Sequence, residues 1–163
     1  MGFVVMLKSA FMNSKGRYLP LIALAAGLTG YSFSWYTDRQ QALLWASKCL
    51  LQAFDATGDP KLKKWDLTLT PDAFIRFKRT YQGGKQEYYS FNLHRFKDLN
   101  YLGTTTKGML CFKTQADDVI VQTFNDPKGN IDSMSTTLKI PLKNVEAEQL
   151  DSLLNAITYL KTQ

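Results

Sequence analysis

The opening of this chain constrains it most. Residues Tyr18 to Thr37 carry no charge, and Lys8, Lys15 and Arg17 precede them with no Asp or Glu before Asp38. A basic lead followed by an apolar run is what a translocon reads as an export signal or a membrane anchor, and such a segment is not folded into a core. The rest of the chain is therefore expected to work outside the cytoplasm, in the periplasm or elsewhere in the cell envelope.

Two fates of that segment stand open, and its grammar leans to cleavage. Its strongly apolar part runs from Leu19 to Leu28, about half of the roughly 20 residues a spanning helix needs and the length of a signal-peptide core. Thr29 and Gly30 then break it, and Ser32 and Ser34 supply small residues at the −3 and −1 positions, so a cut would fall before Trp35. Against cleavage, Tyr31, Phe33, Trp35 and Tyr36 gather where an aromatic belt would sit if the helix stayed in the bilayer with its N-terminus inside. The first cysteine, Cys49, follows Lys48 and makes no lipobox. The expected division is a signal peptide or anchor over 1–34, an apolar helix and linker over 35–64, and an antiparallel β domain with a C-terminal helix over 65–163.

From Trp35 onward there are 129 residues, enough for one core. Setting aside the three leading basic residues leaves 17 Lys and Arg against 14 Asp and Glu, a net of +3. That balance implies no nucleic-acid partner, and the one basic run, Lys61 to Lys64, reads as a solvated loop. Cys49 and Cys111 are the only cysteines. In an exported protein they either form a disulfide stapling helix to sheet or remain two buried thiols.

Thr37 and Gln40 have the spacing of a capping box, so a helix should start there and run to Thr57, with Gly58 and Pro60 ending it. Leu43, Ala46, Leu50 and Phe54 make its core stripe, while Leu44, Trp45, Cys49 and Leu51 widen the apolar arc beyond what one face requires. From Trp65 the period becomes two. Strands are expected at Trp65 to Leu69, Ala73 to Tyr81, Glu87 to Leu93, Asn100 to Thr104, Met109 to Gln115, Asp118 to Phe124 and Ser133 to Leu142, about seven in all. A two-residue turn at Gly83 and Gly84 would set Phe77 against Ser90, apolar against polar. A three-residue loop, Gln82 to Gly84, pairs Phe77 with Tyr89, Ile75 with Phe91 and Arg79 with Glu87 instead. In the last strand Met134, Thr136, Leu138 and Ile140 alternate as the half-buried side, and Pro141 marks an end or an edge. Asn144 is the expected N-cap of a helix from Val145 to about Lys161, with Leu150, Leu153, Leu154, Ile157 and Leu160 on one stripe.

Consecutive antiparallel strands closed by an amphipathic helix resemble the order of the pleckstrin-homology-like barrel. The stretch from Tyr88 to Leu99, and the closing Leu138 to Leu142 with its helix, are also similar to small uncharacterised bacterial envelope domains. The resemblance covers 65–163 and implies an α+β fold, a partly open PH-like barrel or a strongly bent sheet. It brings no catalytic residue, cofactor or metal, since that fold is a scaffold for lipid, peptide and protein binding.

Chemistry-bearing motifs are few. His94 is the only histidine and stands in the polar run His94 to Asp98, with no nucleophile elbow or phosphate-cradling loop near it. Asp117 and Asp118 lack the further oxygen ligands of a calcium loop. The constellation that invites a ligand is Phe74, Arg76 and Lys78, projecting opposite Ile75 and Phe77, with Lys78 beside Tyr88. An exposed aromatic with two cations suits an anionic headgroup, a glycan or an acidic peptide; the plain alternative is a solvated sheet face. The function expected is a non-catalytic exported binding module whose partner is a protein or an anionic envelope ligand, with membrane contact through 18–37 if the segment is kept. A small envelope hydrolase using His94, and a membrane-anchored accessory subunit of a complex, are the alternatives.

Overall fold

A computed structural model describes residues 38–162, so the signal or anchor over 1–34, the aromatic belt and Thr37 lie outside the described residues. From 38 on, the chain is one compact unit of α+β type, with two helices and eight antiparallel strands in two sheets that do not close on each other.

Helix α1 covers 38–53 and buries Ala46, Cys49, Leu50 and Ala53, a spacing that keeps them on one side. The sequence predicts that it continues to Thr57, but tertiary pairing removes its last turn. Phe54 bridges to Leu142, Asp55 N donates to the Pro141 carbonyl at 2.9 Å, and the Phe54 ring packs 4.2 Å from Trp65 and 5.4 Å from Phe77. A 3-10 turn, Ala56–Gly58, follows with Asp55 as its cap.

The strands are β1 (Leu62–Leu69), β2 (Phe74–Tyr81), β3 (Gln86–Asn92), β4 (Phe96–Gly103), β5 (Lys107–Thr114), β6 (Val119–Phe124), β7 (Asp132–Ser135) and β8 (Thr137–Lys143). The larger sheet has the order β1-β2-β3-β6-β7 and the smaller β4-β5-β8, so the chain crosses between sheets three times rather than meandering through consecutive neighbours. There are eight strands instead of about seven because the alternation over Ser133 to Leu142 is cut at Thr136. Thr137 N donates to Ser135 Oγ across the bend at 3.2 Å, and the two halves join different sheets. Met134, grouped with the half-buried side by its alternation, is 53% exposed on the edge strand β7. Strands also start early: β1 begins at Leu62, so a boundary at 64/65 falls inside it, β4 begins at Phe96 rather than Asn100, and β5 at Lys107 rather than Met109.

The β2–β3 hairpin has the register that the three-residue loop requires: Ile75 with Phe91, Phe77 with Tyr89, Arg79 with Glu87. Tyr81 N donates to the Lys85 carbonyl at 2.9 Å, and Gly84 sits at φ +83°, where a residue with a Cβ is strained. Pro141 lies on β8, an edge of the smaller sheet, where its missing N–H costs no ladder bond.

Helix α2 (Ala147–Lys161) buries Leu153, Ile157 and Leu160. Its N-cap is Glu146, which forms a capping box with Gln149; Asn144 instead takes φ +52° and turns the chain so that Val145 enters the core. The core lies between the sheets, where Phe91 and Phe96 meet Phe112 at 6.0 and 6.3 Å and the helices cover what the sheets leave open. Burial of each such ring contributes roughly 1.5–3 kcal/mol. Cys49 and Cys111 are both buried, each a free thiol. Burial pushes the Cys49 thiol up.

Candidate functional site

Strand β2 presents two chemistries, because alternate side chains point to opposite faces. Outward stand Arg76 and Lys78, both exposed, and Phe74, which is half-buried rather than the exposed aromatic the sequence predicts. The Arg76 guanidinium lies 5.6 Å from the Phe74 ring centroid, and the register sets Arg76 between Thr68 and Ser90 and Lys78 between Asp66 and Tyr88. Beside Lys78, a shallow hollow of about 440 Å³ is bordered by Lys64, Trp65, Asp66 and Thr80. Arg76 and Lys78 are exposed and form no ion pair among the described residues.

Inward, the apolar stripe Ile75, Phe77 turns polar at Arg79. Its Nη2 donates to Glu87 Oε2 at 2.6 Å and to the Tyr89 hydroxyl at 3.1 Å. Tyr81 and Tyr89 donate their hydroxyls to the same Glu87 oxygen at 3.0 and 3.2 Å. Lys85 Nζ completes the network, 3.1 Å from Glu87 Oε1 and 2.8 Å from Asp126 Oδ2, and so ties the hairpin loop to the β6–β7 turn. The guanidinium carbon lies 5.4 to 5.8 Å from the rings of Phe77, Tyr81 and Tyr89. Burial works against the Glu87 charge, but Arg79 and the bonds from Lys85 and Tyr81 outweigh it and hold the carboxyl below its ordinary value. Burial pushes the Tyr81 hydroxyl up to about 12. Both Nη2 hydrogens are thus engaged. Nε is buried without a partner, and Nη1 makes no hydrogen bond among the described residues.

Arg79 and Tyr89 face a cleft of about 610 Å³. One wall is the segment from Phe54 to Leu62, and the other comes from the smaller sheet: Leu102, Met109, Lys139 and Pro141. At its rim Asp55, 3% exposed, accepts from Thr57 N at 2.9 Å and Thr57 Oγ1 at 2.6 Å and lies 3.5 Å from Lys107 Nζ. Thr57 first, and Lys107 after it, hold this carboxyl below the usual range despite burial. The sequence reading missed the cleft. One signal was legible: an arginine on the inward parity of an apolar stripe, opposite a glutamate. The smaller-sheet wall was not, since it needs residues of β8 to border the same cleft as Arg79, about 60 residues away in sequence and in the other sheet.

His94 lies elsewhere, exposed in the 3-10 turn Leu93–Arg95. Its Nδ1 is 2.8 Å from the Lys161 carbonyl, so it ties this turn to the C-terminus of α2, and no side chain is hydrogen-bonded to its ring among the described residues. Asp118 accepts from Arg95 Nε at 2.8 Å and from Ala116 N, which makes it part of a surface turn. No described helix is long and apolar enough to cross a membrane. No family model matches the chain, and neither does any curated protein or solved structure.

Proposed function

We propose that this chain is a non-catalytic binding module of the cell envelope, exported or anchored by its first 34 residues, that takes an anionic ligand in the cleft beside Arg79. The observation that supports this most is the state of that guanidinium. Glu87, Tyr89 and three aromatic rings fix its position, yet Nη1 has no partner among the described residues and the group borders a concave space. A cation ordered during folding loses little further freedom when a ligand arrives, which is how preorganisation raises affinity. A cleft of this size with apolar walls and a few convergent polar groups has the form of a small-ligand site.

The test is calorimetric titration of the chain with inorganic phosphate, acetate and decanoate. At least one should bind, and Arg79→Lys, which keeps the charge but loses the fork, should weaken it. If neither these three nor decyl phosphate binds, the reading fails. Cell fractionation with intact-mass measurement tests the address: a product starting at Trp35, or a full-length one in the membrane, agrees with it, whereas a full-length soluble cytoplasmic product sinks it.

A second reading, an accessory subunit docked through α1, is favoured by one observation. Leu44, Trp45 and Leu51 remain exposed on that helix although its other side is in the core.

A further inference from the structure

The walls of the cleft narrow the ligand class further, on the premise that the cleft is the binding site. Leu102, Met109 and Pro141 are direct cross-strand partners on β4, β5 and β8, so they form one row across the smaller sheet. Adjacent strands lie about 4.8 Å apart, which makes the row an apolar track about 10 Å long and one side chain wide. Leu102 is 64% exposed at its outer end, and the whole row borders the cleft that Arg79 faces. Lys139 stands two residues before Pro141 on β8, hence on the same face and about 7 Å away.

The charges of the cleft are partly cancelled. Asp55 is paired with Lys107 and Glu87 with Arg79, while Asp59, on the wall formed by the Phe54 to Leu62 segment, accepts from the uncharged Lys61 N–H and forms no ion pair among the described residues. Lys139 forms no ion pair among the described residues, and Arg79 keeps Nη1. What the cleft offers is a cationic end beside a narrow apolar track. We infer that its ligand is a single-chain amphipathic anion: a carboxylate or phosphate head between Arg79 and Lys139, with one aliphatic tail along Pro141, Met109 and Leu102. A single row has room for one tail, and Arg79 and Lys139 are the cations its head would meet.

The experiment is calorimetric titration of the full-length chain with decanoate, decyl phosphate, decanol, acetate and inorganic phosphate, the amphiphiles kept below their micellar concentrations. Decanoate or decyl phosphate should bind at least about tenfold more tightly than acetate or phosphate, since burying even two methylenes is worth that factor, and severalfold more tightly than decanol, which has the same tail but no charge for the cations to meet. Whichever of the two binds more tightly identifies the head. Met109→Asp should weaken binding about tenfold or more, and Lys139→Ser severalfold, while Arg76→Ser on the other face should leave it unchanged. Should Met109→Asp fail to fold, Leu102→Asp at the exposed end of the row makes the same test. Acetate or phosphate binding as tightly as the long-chain anion would overturn the amphipathic inference and leave an anion site standing. Decanol binding as well as decanoate would overturn it by removing the need for a charged head. Binding by none of the anions would remove the site itself and the inference with it.

Discussion

Arg76 and Arg79 stand three residues apart on one strand and carry the same charge, but the sheet gives them opposite states. Arg76 projects outward over Phe74 and is exposed, with no acidic partner among the described residues. Arg79 projects inward, is bound to Glu87 and Tyr89, and is framed by three rings. Ordering an arginine side chain costs about 2 kcal/mol. For Arg76 that cost falls on any ligand it meets; for Arg79 it was met in folding. The comparison shows why a cluster of exposed cations is a weaker sign of a site than one inward cation with an unused edge.

The comparison breaks first if the two arginines are equally dispensable. Arg79→Ala leaves Glu87 half enclosed without its main counter-charge and should cost about 2–3 kcal/mol in urea unfolding, reduced from the fully buried case because both groups keep some solvent contact. Arg76→Ala should stay within about 0.5 kcal/mol. Equal losses would mean that the inward network is not a fixed structure.

Acid sharpens the same contrast. The Glu87 and Asp55 carboxyls are held below their ordinary values of 4.5 and 3.8, so the unfolded chain binds protons more readily than the folded one. The stability they contribute is fully present above those ordinary values and is lost as pH falls through the lowered folded ones. Glu87→Gln should flatten the upper part of that acid limb in melts taken at stepped pH. A limb unchanged in the variant would assign it to other carboxylates.

A smaller effect is expected for Lys85→Ala, which unties the hairpin loop from Asp126. Its two ion pairs lie near the surface, so the loss should be about 1 kcal/mol or less, with faster amide exchange at the β6–β7 turn as the local readout. Smallest of all is the double change Arg76→Ser with Lys78→Ser. It should leave the melting temperature nearly unchanged, and it should abolish binding of any acidic peptide or anionic glycan that uses the outer face. Such binding surviving in the double variant would clear these two cations of a role.

Much of this contrast was legible in the amino-acid order. Only a three-residue loop puts Phe77 opposite Tyr89, and the same register fixes which way Arg76 and Arg79 point. The stripe Leu153, Ile157, Leu160 likewise fixes the buried side of α2. What escaped reading depends on partners far along the chain. Nothing near Phe54 announces that it will leave its helix for Leu142, and nothing near Thr136 shows that an unbroken alternation will divide between two sheets. The cleft inherits this blindness, since its two walls meet only when β8 is joined to the Phe54 segment through the Phe54–Leu142 bridge.

The division at Thr136 also bears on how the molecule is made. Neither sheet is continuous in sequence: the larger takes strands one, two, three, six and seven, and the smaller takes four, five and eight. A chain delivered N-terminus first can close the β2–β3 hairpin early, but β5 has no second neighbour until residue 143 has emerged. Pairings so distant in sequence belong to slow folders, in the range of milliseconds to seconds. Until that moment the strands already delivered expose unpaired edges, and the chain is best protected by whatever handles it during synthesis.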